Sequence, residues 1–272
     1  MKIMEYASVT KLTADNVFLI DGTQGTKKII TSDALISMLD LLSPKNKRMI
    51  FRGKNLGASF TTEQKTAVQN GTFEGLCLGD YWVINGVNWR IADFDYWYNK
   101  GNPKFSSHHL VIVPDTALVS DQMNASSVTT GGYVGSTMYT ANMAPAKSEV
   151  TSAFGDAVLT YKEYLIDTVT SGIPTSGSFV DSNVELMNEP MVYGSYIYTP
   201  ANNGTTDVKR FTISNTQLAL FQVAPEFIVS GSGYWLRDVA SNTHFCRVDA
   251  SGGAQATGAA NSLGVRPVFP IG

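Results

Sequence analysis

At 272 residues the chain is long enough for two domains, or for one large domain with a small one appended. Hydrophobic residues make up 43% and charged residues only 16%, below the rough quarter usual in soluble domains, which excludes a disordered chain and a coiled coil. Nine basic and five acidic side chains fall in residues 1–60, eleven and eighteen beyond, so no strong basic patch forms and nucleic acid is not an expected partner.

In chain order, Val17-Phe18-Leu19-Ile20 reads as a short strand, closed by Asp21-Gly22-Thr23 and reopened by Lys28-Ile29-Ile30. Ser32 then caps a helix predicted over 33–42, whose apolar set is Leu35, Ile36, Met38, Leu39, Leu41 and Leu42. A hairpin and one apolar helix cannot bury themselves in 50 residues, so residues 1–50 are expected to pack on something else. Residues 61–70 make a helix with Thr61 and Gln64 as capping box and Gly71 past its end. Residues 79–95 alternate aromatic and β-branched side chains around Asn85-Gly86, the pattern of a hairpin. Leu110-Val111-Ile112-Val113-Pro114 reads as a strand buried on both faces. Residues 122–146 carry no charge and are expected to be irregular. A second helix is predicted from Ser148 to about Asp167, on the helical spacing of Val150, Phe154, Val158, Tyr161 and Leu165. A short helix over 215–222 is followed by short strands to the end of the chain.

Catalytic templates fit poorly. His108 and His109 are adjacent, so on a strand they face opposite ways and cannot share a metal. Asp93 and Asp95 could approach a cation, but a solvated strand edge is the plainer reading. His244 beside Cys246 is a poor thiol dyad, and no phosphate-binding loop, nucleophile elbow or zinc-helix motif occurs. The cysteines, Cys77 and Cys246, could close one disulfide; two buried thiols are the preferred reading. No run approaches the roughly 18 apolar residues of a membrane span, and Met1-Lys2-Ile3-Met4-Glu5 lacks a signal peptide's apolar core. Synthesis in a cytoplasm, without membrane insertion, is expected.

The last forty residues carry the most information. Tyr234-Trp235-Leu236-Arg237, an uncharged turn-rich stretch over 251–262, and the terminal Gly264-Val265-Arg266-Pro267-Val268 resemble the end of a C-type-lectin-like domain. It is the variety shared by formylglycine-generating-enzyme-like sulfatase modifiers and the ligand-binding tips of phage proteins. The resemblance is nearest to a family of gut-phage virion proteins. There, Gly79-Asp80-Tyr81-like hairpins, Gly131-Gly132-Tyr133-Val134-Gly135-Ser136 and Glu185-Leu186-Met187-Asn188-Glu189 recur in the same order. Residues 15–34 resemble the amino-terminal attachment segments of phage fibre and baseplate proteins.

The resemblance implies an α+β fold: a C-type-lectin-like domain of short strands and few helices over 51–272, preceded by an attachment segment over 1–50. Trp235 would be core, Arg266 buried or half-buried, and the surface between 238 and 262 the ligand face. The animal-lectin calcium motif is missing, since Asn188-Glu189-Pro190 has the wrong order, and so are the paired cysteines of the sulfatase modifiers. Neither calcium, nor another metal or cofactor, nor an enzymatic activity is implied. The expected function is that of a bacteriophage virion protein, receptor-binding or at a fibre tip, made in the host cytoplasm. It would be homotrimeric, joined to other virion proteins through residues 1–50, and would bind a host-surface glycan or protein. If the 244–248 segment is a strand, Cys246 and Val248 point inward. Asn242, His244, Phe245, Arg247, Asp249 and Gln255 are then the outward or rim-facing ligand candidates, with His244 placed on a turn. The rivals are a purely structural head-fibre, capsid-decoration or baseplate role, and a cell-wall-degrading enzyme. The enzyme would need paired carboxylates from Asp80, Asp93, Asp95 or Glu189.

Overall fold

Contacts divide the chain into two units, 1–43 and 44–272. The structure, a computed structural model, describes residues 17–22, 25–30, 38, 44–200 and 211–272. In the first unit β1 (Val17–Gly22) and β2 (Gly25–Ile30) form an antiparallel hairpin, in register from Val17↔Ile30 to Gly22↔Gly25. The helix expected over 33–42 lies outside the described residues, save for Met38, which is helical. Residues 44–50, grouped with the amino-terminal segment on sequence, open the second unit. There Lys47 is buried and donates its ammonium to the Phe73 carbonyl at 2.6 Å, and Arg48 pairs with Asp93.

The second unit is mostly β-sheet with few, short helices. β3 (Tyr81–Ile84) and β4 (Val87–Phe94) form the expected hairpin, turning on Asn85 and Gly86 at φ 53° and 77°. Those two left-handed residues are what a type I′ turn requires. The strand over 110–114 is β5 (Leu110–Pro114), buried at every position, and β6 (Val119–Gln122) follows it. β7 (Tyr161–Thr170) and β8 (Ile173–Ser182) make a separate two-stranded ribbon. β9 (Glu185–Leu186), β10 (Tyr234–Val239), β11 (His244–Val248), β12 (Ala254–Gly258), β13 (Ser262–Val265) and β14 (Pro267–Ile271) complete the set. They assemble into two five-stranded sheets, ordered β3-β4-β5-β14-β9 and β12-β11-β10-β13-β6.

The chain changes sheet after β5, returns for β9 by way of the β7–β8 ribbon, changes again to β10 and returns after β13, where Arg266 alone separates β13 from β14. Arg266 is fully buried and donates to the carbonyls of Pro114 (2.8 Å), Phe227 (2.9 Å) and Ile228 (3.2 Å). Pro114 ends β5, so one guanidinium ties the first of these crossings to the last. A buried cation satisfied by carbonyl dipoles avoids the penalty of an unpaired charge.

Helix α1 (Thr62–Gln69) shows the expected capping box on Thr61 and Gln64, with Gly71 beyond it at φ 68°. Helix α2 (Ala144–Phe154) docks through Ala146, Val150 and Phe154, spaced four apart. The Phe154 ring lies 5.6 Å from Trp89 and 5.5 Å from Phe269. Trp82, Trp89, Trp97 and Trp235 are all fully buried.

The helix predicted to reach Asp167 stops at Phe154, and Tyr161 begins a strand. Tyr161 and Leu165 fit helical spacing, yet the segment is rich in β-branched and aromatic residues. It runs into Ser171-Gly172, at φ 52° and 79°, a second type I′ turn. The 122–146 stretch is largely irregular but ends in a π-helical turn (Met138–Asn142) and the start of α2. Of the helix expected over 215–222, only α4 (Ala219–Val223) forms, after α3 (Glu189–Tyr193).

Candidate functional site

The expected ligand face is the meander β10-β11-β12, in which β12 is a sheet edge. In register, Trp235, Arg247 and Gln255 share one row across the three strands, and Phe245 stands opposite Thr257. Exposure rises along the first row from buried Trp235 through half-buried Arg247 to exposed Gln255. Cys246 and Val248, on the other side of β11, are buried as expected, and both cysteines are buried free thiols.

Two expectations are corrected. Phe245, placed at the rim on sequence, is fully buried, because β11 is an interior strand and Val239 opposite it on β10 is buried as well. A side chain enclosed in this way contacts no ligand. His244, placed on a turn, is the first residue of β11 and pairs with Gly258. Its ring still belongs to the turn chemistry: Nδ1 lies 2.7 Å from the Thr243 hydroxyl and 3.3 Å from that of Ser241.

Asp249 is also engaged. Its Oδ1 accepts from the Ser251 N–H at 2.8 Å, the Ser251 hydroxyl at 2.7 Å and the Gly253 N–H at 2.9 Å. These bonds close the β11–β12 turn and hold the carboxyl below its ordinary value. Asn242 and Gln255 remain exposed. Asn242 sits where the ribbon tip meets the meander. A Cβ on Gly172 would stand 2.6 Å from the Asn242 nitrogen, so only glycine allows the approach.

A neighbouring loop was not legible in the sequence. It displays Ile197 and Tyr198, 51% and 42% exposed, from a backbone gripped by the buried carboxylate of Glu189. That carboxylate accepts the N–H groups of Ile197 (3.2 Å), Tyr198 (2.9 Å) and Thr199 (3.0 Å) and the Thr199 hydroxyl (2.7 Å). The Thr199 hydroxyl in turn lies 3.7 Å from Cys246 Sγ, so this loop adjoins the meander. Rigid display of an aromatic and an aliphatic side chain suits a binding surface, because little entropy remains to be lost.

Beneath the surface lies a buried polar cluster. Glu163 pairs with Arg237 at 3.0 Å and accepts from the Ser214 hydroxyl. Glu185 accepts the Tyr133 hydroxyl at 2.9 Å, and Asp238 accepts the Glu189 N–H. Burial, reinforced by the Glu189 charge, pushes the Asp238 carboxyl up to about 7. Burial raises Glu185 too. The detectable signal for such sites is a lone acid inside an apolar strand, as in Tyr161-Lys162-Glu163-Tyr164-Leu165 and Val184-Glu185-Leu186.

The carboxylates considered for catalysis are occupied. Asp80 is held by Arg52 and by the Lys54 and Cys77 N–H groups. Asp93, far from a solvated edge, is fully buried against Arg48, which donates to it at 2.7 Å. His108 and His109 lie just before β5 and their rings go to different partners, His108 half-buried and stacked on Tyr98 at 4.4 Å, His109 buried and stacked on Trp97 at 5.7 Å. Asp95, at φ 52°, accepts the His109 N–H at 3.0 Å and lies 2.8 Å from His108 Nδ1. Burial lowers the His109 imidazole to about 4. It is therefore neutral at pH 7, with Nε2 accepting the Trp97 N–H at 3.1 Å and Nδ1 facing the Ser107 carbonyl. Among the described residues no three His, Cys, Asp or Glu side chains gather as metal ligands, and no helix is long and apolar enough to cross a membrane. The chain matches no family model, no curated protein and no solved structure.

Proposed function

We propose that this chain is a bacteriophage virion protein whose second unit is a C-type-lectin-like receptor-binding module. The first unit, residues 1–43, would join it, as a homotrimer, to other virion proteins. One observation carries the reading. The blocks behind the resemblance, Tyr234-Trp235-Leu236-Arg237 and Gly264-Val265-Arg266-Pro267-Val268, lie in the interior and support a short meander with a charge-poor, amide- and hydroxyl-bearing edge. Such an edge, beside the rigid Ile197-Tyr198 loop, suits a glycan or protein ligand, since rings supply area and amides supply direction.

The test uses labelled protein and a panel of bacterial strains. Asn242, Arg247 and Gln255 are replaced together by Ala, and adsorption is compared with wild type on each strain the wild type binds. The triple variant is expected to fold and to lose adsorption. Adsorption that survives in a folded variant, or wild-type protein that adsorbs to no strain, favours the second reading, a rigid block in a head fibre, capsid decoration or baseplate. That alternative draws on His244 and Asp249 being bonded within their own turns, and on Phe245 being core.

A further inference from the structure

Resting on the receptor-binding reading above, we infer that the meander face recognises an anionic glycan, bearing a carboxylate or a phosphodiester, through the guanidinium of Arg247.

The other described arginines are all engaged. Arg48 donates to Asp93 at 2.7 Å, Arg52 to Asp80 at 3.0 Å and Arg90 to Asp115 at 2.6 Å. Arg237 pairs with Glu163 at 3.0 Å, and Arg266 is satisfied by carbonyls. Arg247 is the exception. Among the described residues it makes no hydrogen bond or ion pair, and its Nε is buried without a partner. An enclosed guanidinium N–H left unbonded costs free energy that the fold recovers nowhere within the described residues.

The nearest internal anion serves only through its charge. Asp249, just past the end of β11, feels the Arg247 charge, which helps to hold its carboxyl low, but it accepts no hydrogen bond from the guanidinium, and its Oδ1 is taken by Ser251 and Gly253. Between Asp238 and Val265 the sequence holds no lysine and no other arginine. The guanidinium is therefore the one lysine or arginine head group of this stretch, with all of its N–H groups unbonded within the described residues and set among amides, hydroxyls and small residues. Gln255, exposed and opposite it in register, adds an amide in the same row. A planar guanidinium engages a carboxylate or phosphate through two parallel N–H bonds, geometry that a neutral sugar hydroxyl cannot use.

The experiment titrates the full chain with three probes: oligogalacturonate, its methyl ester and a poly(glycerol phosphate) oligomer. One of the two polyanions is expected to bind, more weakly at high salt, and the methyl ester is not. Which polyanion binds identifies the source of the charge. R247Q should weaken binding about 10- to 100-fold, the range for losing a charge-assisted hydrogen bond. R247K, a point charge without the fork, should lose part of it, with melting temperatures confirming that both variants fold. Failure of both polyanions at low salt, or binding unchanged in R247Q, overturns the inference. If R247Q still adsorbs to bacteria while an Asn242→Ala, Gln255→Ala variant does not, the ligand is neutral and the receptor reading stands without the anion. Adsorption retained by both variants removes the face itself.

Discussion

Asp238→Asn is expected to stabilise the protein in mildly alkaline solution and to leave it unchanged in acid. The carboxyl is buried on β10, accepts the Glu189 N–H and stands near the Glu189 charge, so its protonated form is favoured in the folded state. Its value rises from the ordinary 3.8 to about 7. Between those limits the folded chain holds a proton that the unfolded chain has released, so stability falls as pH rises through the window. The cost is absent below the lower limit and complete above the upper one. About three pH units at about 1.4 kcal/mol each amount to roughly 4 kcal/mol. Asparagine keeps an oxygen for the Glu189 N–H and cannot ionise, so the variant avoids that cost. His109 works in the opposite sense. Its charged form is disfavoured by burial, so the stability it lends is full above 6.5 and is lost as pH falls toward about 4. Subtracting wild type from variant at each pH removes that contribution. The assay is urea unfolding of both proteins at about pH 4 and about pH 8, with the denaturant slope compared to confirm equal surface exposure. The stability difference should grow by roughly 4 kcal/mol between the two. A difference independent of pH would refute a protonated Asp238.

Trp235→Ala removes a fully buried indole whose Nε1 donates to the Asp121 carbonyl at 2.9 Å, and should cost ~3–5 kcal/mol; an unchanged thermal melt would mean that β10 does not anchor its sheet. Arg266→Met keeps most of the volume but strips donors from the carbonyls of Pro114, Phe227 and Ile228. At about 1 kcal/mol or more per orphaned carbonyl, a loss of at least about 3 kcal/mol is expected by urea unfolding. Gly172→Ala would strain a left-handed turn and drive a Cβ to 2.6 Å from the Asn242 nitrogen, so hydrogen exchange of the 241–244 amides should accelerate. Light scattering should give a trimer for the full chain and a monomer for residues 44–272; a monomeric full chain without partners would refute assembly through the amino-terminal segment.

Much of the second unit was legible before any tertiary structure. The β3–β4 hairpin follows from Asn85-Gly86, a pair that readily accepts two left-handed residues in sequence. α1 follows from Thr61, Gln64 and Gly71, whose bonds are made within a single helical turn. The buried run of β5 follows from five consecutive apolar or proline side chains. In each case the interactions that decide the element lie within a few residues of one another, so the order of side chains contains them.

The errors share a different cause. Tyr161 and Leu165 satisfy helical spacing as well as a strand, and the choice fell to the pairing of β7 with β8 across Ser171-Gly172. Phe245 is exposed or buried according to what lies over β11, and nothing within 244–248 states that. Asp93 and Asp95 look solvated until Arg48 and the two histidines fold back on them from 45 and about a dozen residues away. The sequence by itself determined much of the local geometry and the position of the polar C-terminal stretch. Only the tertiary structure decided which charges are neutralised inside and which cation, Arg247, is left over. Burial and ion pairing are sums over neighbours that are distant in the chain, and no local pattern encodes such a sum.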